Sequence, residues 1–210
     1  MISEPALVDF CRYLPLFPLE NALPLPGVAF PLQIYEKEGL DLVRFCLREN
    51  SPFALPQLAP GPFGILPYAC LGVIVAHQDA NDGHFNVVVD PRRRVRIMEV
   101  ISGGPFLRAQ AILLSDTEID NREESMSLQG KRVMSLLRPL IQRHHPLFPI
   151  LRKIKEQNLS ECLAGFVLTT PEERQRFLAE DNPLLRARQV EDAIYILQAG
   201  LLMPKEIGEA

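Results

Sequence analysis

Hydrophobic and polar positions change their period once along the chain, near residue 120. Before it, apolar residues come in short runs rich in β-branched and aromatic side chains, separated by Pro and Gly. These runs are "VAFPLQI" (28 to 34), "CLGVIVAH" (70 to 77), "HFNVVVD" (84 to 90), "RVRIMEV" (94 to 100) and "FLRAQAILL" (106 to 114). Their composition and near-alternation predict half-buried strands. Asp82-Gly83 is a hairpin signal between two of them, and "SGGP" at 102 to 105 turns the next pair. A single helix is expected in this half, over "EKEGLDLVRFCLREN" from 36 to 50. Leu40, Val43, Phe45, Cys46 and Leu47 form its apolar side, to cap a barrel end or cover a sheet face.

After the polar, acidic stretch "SDTEIDNREES" (115 to 125) the period becomes helical. Val133, Leu136, Leu137, Leu140 and Ile141 make a core-facing stripe, with Pro139 predicting a kink or stop. Further helices are expected through "PILRKIKEQ" and "LSECLAGFVL". "TTPEERQRFLAE" carries start grammar: Thr170 as N-cap, Pro171 at N1 and Glu173 closing a capping box. A last helix follows Asn182-Pro183, its stripe made by Val190, Ala193, Ile194, Leu197 and Leu201. The fold class is therefore α+β, divided into a β-rich domain over 1 to 120 and a helical subdomain over 121 to 210.

The segment "YLPLFPLENALPLPGVAFPLQIYE" (13 to 36) resists both periods: it has the apolar content of a core and five prolines. Prolines number 19 in 210 residues, nearly twice the usual ~5%. That excess implies loops, edges and turns. The net charge of −4 gives no general pull toward nucleic acid or anionic membrane. The longest nearly apolar run, 63 to 76, contains Pro67 and is shorter than the ~20 residues a membrane helix needs. With no basic-then-apolar leader at the start, the protein is expected in the cytoplasm. Cys11, Cys46, Cys70 and Cys162 are scattered without metal-ligand spacing and read as free, packed thiols.

Candidate chemistry is sparse. Around Gly130-Lys131, Ser125 stands where a phosphate loop needs glycine and Arg132 where it needs a hydroxyl. Neither a G-x-S-x-G elbow nor an H-E-x-x-H helix is present, and His144-His145 diverge on any helix. No catalytic residue, cofactor or metal site is expected. The main electrostatic feature is the arginine strand, on which Arg92, Arg94 and Arg96 share a face opposite Val95 and Ile97. It could contact an anion, RNA or an acidic peptide, be a solvated outer face, or pair with the helical half; with no aromatic platform inside the cluster, nucleic acid is disfavoured.

In their order along the chain, these pieces resemble the N-terminal substrate-binding domain of ATP-dependent Lon proteases. The residues carrying the resemblance are Leu14 to Leu19, Phe30-Pro31-Leu32, Gly72-Val73-Ile74 and Arg94-Val95-Arg96-Ile97. In the helical half they are "LSECLAGFVLTTPEERQRFLAEDNPLLRARQVEDAI". One departure is Pro91, where the family has glycine before its arginine strand, so that turn should differ. The resemblance implies a mainly antiparallel, PUA-like β pseudo-barrel with one inserted helix, followed by a C-terminal helical bundle. It implies a non-catalytic protein- or peptide-binding module, standing alone without the ATPase and peptidase domains. Partners would be unfolded or specific client proteins and a protease system, through exposed apolar surface and sheet edges. Candidate contacts are Phe30, Leu32, Ile34, Tyr35, Phe106 and the arginines Arg92, Arg94 and Arg96. The alternatives are an RNA-binding PUA-like module using the Arg92 to Arg96 strand, and a small-molecule enzyme using the crevice between the halves.

Overall fold

The computed structural model describes residues 12–60, 64–79, 83–139 and 154–202. The described strands are β1 (Leu14–Pro15), β2 (Phe30–Ile34), β3 (Phe53–Leu55), β4 (Tyr68–Asp79), β5 (Phe85–Ile101) and β6 (Arg108–Leu113). The described α-helices are α1 (Lys37–Glu49), α2 (Arg122–Leu137), α3 (Leu159–Val167), α4 (Pro171–Ala179) and α5 (Pro183–Leu202).

All strand pairings are antiparallel, in the order β1-β6-β5-β4-β3, with β2 added on the first part of β5. Residues 14 to 19 close this path into a pseudo-barrel by bridging in parallel to the β3 segment, Leu16 to Ala54 and Leu19 to Gln57. The amide of Leu16 donates to Leu107 O (2.9 Å), that of Phe17 to Ala54 O (2.9 Å) and that of Leu19 to Pro56 O (2.8 Å). Pro15 precedes these donors and Pro18 falls between two of them, so the prolines, which lack a donor, do not interrupt the closure. Pro31 lies in β2, which among the described residues pairs only with β5, and an edge is where proline is tolerated in a sheet.

Two apolar clusters fill the unit. Leu14, Leu16, Ala54, Ala69, Leu71, Val95, Ile97 and Ala109 pack inside the closed part. Ile34, Leu42, Val43, Cys46, Phe53, Leu55, Phe85, Val87, Val89 and Phe106 pack where α1 covers the sheet. Helix α1 ends at Asn50, in the left-handed region at φ 49°, and the amide of Ser51 reaches back to Cys46 O. Burial pushes the Cys46 thiol up to about 12. Gly72 is required by contact, because a Cβ there would lie 2.4 Å from a Val89 methyl.

Several sequence expectations change in the strands. The runs 84 to 90 and 94 to 100 form one continuous strand, β5. No turn precedes the arginines. Leu71 pairs with Arg93 and Gly72 with Pro91, so Arg92 is the extra residue of a bulge. Pro91 is accommodated there because β5 is changing partners: pairing with β2 stops at Val89 and pairing with β6 starts at Val95. Strands β1 and β3, too short to show a period, were not legible as strands. Gly83, at φ 84°, and Gly103, at φ 100°, occupy the two expected turns; Asp82 lies outside the described residues.

By contacts the chain forms two units. One comprises residues 1–116 with 170–181, the other 117–169 with 182–210. Helix α4, grouped by its periodicity with the helical half, thus belongs to the β-rich unit. In the second unit α2 stops at Leu137, ahead of Pro139. Of the helix expected through "PILRKIKEQ", residues 149–153 lie outside the described ones, and Glu156–Asn158 is a single 3-10 turn. Gly130 lets that turn approach α2: a Cβ there would meet Glu156 O at 2.0 Å. Polar bonds join the helices. Arg186 donates to Glu161 (2.8 Å), Gln129 to Glu191, and Gln198 to Leu136 O (2.6 Å). Val190, Ala193 and Ile194 are buried as expected, whereas Leu197 is exposed. No helix among the described residues is long and apolar enough to cross a membrane.

Candidate functional site: a cleft beside helix α4

Helix α4 starts as its sequence dictates. Glu173 N donates to Thr170 Oγ1 (3.2 Å), Thr170 N donates to the Glu173 carboxylate (2.9 Å), and Pro171 occupies the first turn. One face, with Phe177 and Leu178, is buried. The polar side chains of Arg174, Gln175 and Arg94 fix the helix within the β-rich unit. Arg174 donates to Leu23 O (3.2 Å), and its burial lowers its pKa, with Glu173 acting in the opposite sense. The Gln175 amide donates to Tyr68 O (2.6 Å) and accepts from Tyr68 N (3.0 Å). Arg94 donates to Leu178 O (2.8 Å) and Glu180 O at the helix C-terminus, to Ser115 O (3.4 Å), and to Asp116 (2.8 Å). A guanidinium suits those last carbonyls, which carry the negative end of the helix dipole.

Beside α4 lies a mostly apolar cleft of about 670 Å³. One wall is made by residues 57–60 and 66–68, where Leu66 N bonds Gln57 O and Leu58 N bonds Leu19 O, both at 2.8 Å. It contributes Leu58, Leu66, Pro67 and Tyr68. The other wall is the α4 face made by Glu172, Gln175, Arg176 and Ala179, spaced i, i+3, i+4 and i+7. Arg96, opposite Tyr68 in the sheet, holds its guanidinium 6.0 Å from the Tyr68 ring. This arrangement can hold an extended chain. No nucleophile and base meet in it.

The residues expected as contacts fare unequally. Ile34 and Phe106 are 1% and 5% exposed, and both are core. Phe30 is half-buried, and Leu32 packs against the core at the border of a second hollow, of about 590 Å³, over β2, β4 and β5. Tyr35 is 61% exposed, its ring 4.7 Å from that of His84. The three arginines do not present one face to solvent. Arg94 is 5% exposed because α4 and the 115–116 segment cover it, whereas Arg92 is exposed and paired with Asp90 at 2.8 Å. Only Arg96 adjoins the α4 cleft. Leu58, Tyr68, Gln175 and Arg176 had no sequence signal of function. The spacing of the α4 polar face was legible, but not what it faces.

Comparison with known proteins identifies the family and the fold. The family model for the ATP-dependent protease La (LON) substrate-binding domain matches residues 13–195. Lon protease 2 of Myxococcus xanthus is 22% identical over 191 residues, covering 84% of this chain and 23% of that protein. Lon protease of Cytophaga hutchinsonii is 23% identical over 221 residues, covering 95% and 25% respectively. The chain thus spans about a quarter of the length of these relatives. Among solved structures, a Lon N-terminal domain protein from Xanthomonas campestris superposes with a TM-score of 0.58 at 25% identity, covering 91% of this chain and 99% of that one. The N-terminal domain of Mycobacterium avium complex Lon protease gives a TM-score of 0.67 at 15% identity, covering 88% and 98%, which supports the fold. The α4 helix, the arginine strand and the closed β path all lie within the matched span, and the chain belongs to the Lon substrate-binding domain family.

Proposed function

We propose that this chain is a non-catalytic module that binds client polypeptides, unfolded or specific, on behalf of a protease system, and that it holds them in the α4 cleft. The observation that carries this reading is the cleft itself: apolar on the side of Leu58, Leu66 and Pro67, polar on the α4 side, and of a size to bury several side chains. A second concave surface, over β2, is a poorer candidate for strand addition. Its edge is five residues long and contains Pro31, which removes one of the few amides an incoming strand would use. RNA binding through the arginine strand is disfavoured, because Arg94 is committed to α4 and Arg92 to Asp90.

A photo-crosslinker in place of Leu58, challenged with a permanently unfolded, carboxymethylated protein in the presence of competing RNA, tests this directly. Crosslinked client that is lost when Arg176→Glu is combined with Ala179→Asp supports the reading. Crosslinking to RNA alone, or client capture indifferent to that pair of changes, rejects the cleft as the contact.

A further inference from the structure

The two walls of the α4 cleft differ in a way that specifies what an occupant should look like. Glu172 and Arg176 stand four residues apart on the exposed face of the helix, and both line the cleft. No ion pair joins them to each other, and none is formed by either with another described residue. Their carrier positions are separated by about 6 Å along the helix axis, from ~1.5 Å per residue. An extended chain covers about 6.6 Å between residues i and i+2, whose side chains point the same way while that of i+1 points opposite. A strand lying along the cleft can therefore offer its i and i+2 side chains to Glu172 and Arg176. Its i+1 side chain then faces Leu58, Leu66 and Pro67.

We infer that the cleft selects extended client segments by a three-residue pattern: a cation, an apolar residue, and an Asp or Glu carboxylate. The cation faces Glu172, the apolar side chain packs on Leu58, Leu66 and Pro67, and the carboxylate meets Arg176, with Arg96 adding positive potential beside Tyr68. This rests on the client-binding reading above and narrows it from any unfolded chain to a charge-patterned one. Either chain direction satisfies the pattern, because the contacts are with side chains.

The test uses the full chain and fluorescent peptides with blocked ends, so that no terminal charge competes. Lys-Leu-Glu in a Gly-Ser frame is compared with Lys-Leu-Lys, Glu-Leu-Glu and Lys-Ser-Glu by anisotropy. Lys-Leu-Glu should bind tightest, by roughly five- to tenfold, the size expected when exposed charge pairs are gained or reversed. Arg176→Glu should move the preference to Lys-Leu-Lys, and Glu172→Lys should move it to Glu-Leu-Glu. Both positions are exposed, and the wild-type ranking alone already tests the pattern if either variant is poorly folded. If the four peptides rank by the central residue only, the charge pattern is overturned while client binding stands. If none binds although unfolded protein is still captured, the cleft is not the contact and both the pattern and its site fall.

Discussion

Closure of the β-rich unit relies on main-chain bonds, whereas the helical unit is joined by side chains. Amides of Leu16, Phe17 and Leu19 complete the pseudo-barrel whatever side chains they carry, and the apolar clusters then fill it. Helices α2, α3 and α5 have no such ladder between them. They depend on burial and on a few polar links, among them Arg186 to Glu161 and Gln129 to Glu191. A single polar substitution should therefore be local in the first unit and general in the second. The α4 helix is the exception, because it sits in the β-rich unit yet is held there by side chains.

The exception gives the largest expected effect. Arg94→Ala leaves the Leu178 and Glu180 carbonyls and Asp116 without their shared donor, and breaking a buried charged network costs about 3–5 kcal/mol. Hydrogen exchange should show α4 amides losing protection while β5 and β6 amides keep theirs. Equal loss in strands and helix would erase the distinction drawn above. In the helical unit, Gly130→Ala forces a Cβ into the Glu156 carbonyl, at or above the ~3 kcal/mol upper range of overpacking. Here the whole unit should lose protection together, read as a drop in the urea midpoint of α2, α3 and α5. Arg186→Ala follows at about 2 kcal/mol, below the range for a fully buried pair because Glu161 keeps part of its contact with water. Thr170→Ala removes the N-cap of α4 and should cost about 1 kcal/mol, with the cleft peptides weakened but the strands unmoved.

The smallest effect is a pH dependence of the β-rich core. Burial raises the Cys46 thiol from 9.0 to about 12, so the folded unit keeps its proton where the unfolded chain loses it. This contribution is intact below pH 9 and is lost as pH rises toward 12, the loss near pH 9.5 being about 1 kcal/mol. Cys46→Val should remove that share of the alkaline slope, as measured by urea melts on either side of pH 9. An unchanged slope would mean that the thiol is not confined as described.

Much of this architecture was legible in the chain. The period change near residue 120 falls close to the unit boundary at 116/117, and the Thr170 capping box formed as written. What stayed hidden depends on partners distant in sequence. Leu14–Pro15 and Phe53–Leu55 are strands only because β6 and β4 lie beside them. Arg94, on a strand of alternating arginines, could equally be a solvated residue or one paired with the helical half, and it is the 115–116 segment and the return of the chain at 170–181 that bury it. The same return creates the cleft, whose walls lie about a hundred residues apart in sequence. No local pattern could announce it.

The amide of Gln175 imitates a peptide group, offering one donor and one acceptor to the main chain of Tyr68 in the place where β3 has already ended. A sheet edge that is neither capped nor covered is a template on which another copy can add itself and propagate as a fibre. A single side chain from a helix thus acts as a chain terminator for the sheet. A Gln175→Glu protein, matched in shape but lacking the donor, would be judged by its shelf life in concentrated solution as much as by its fold.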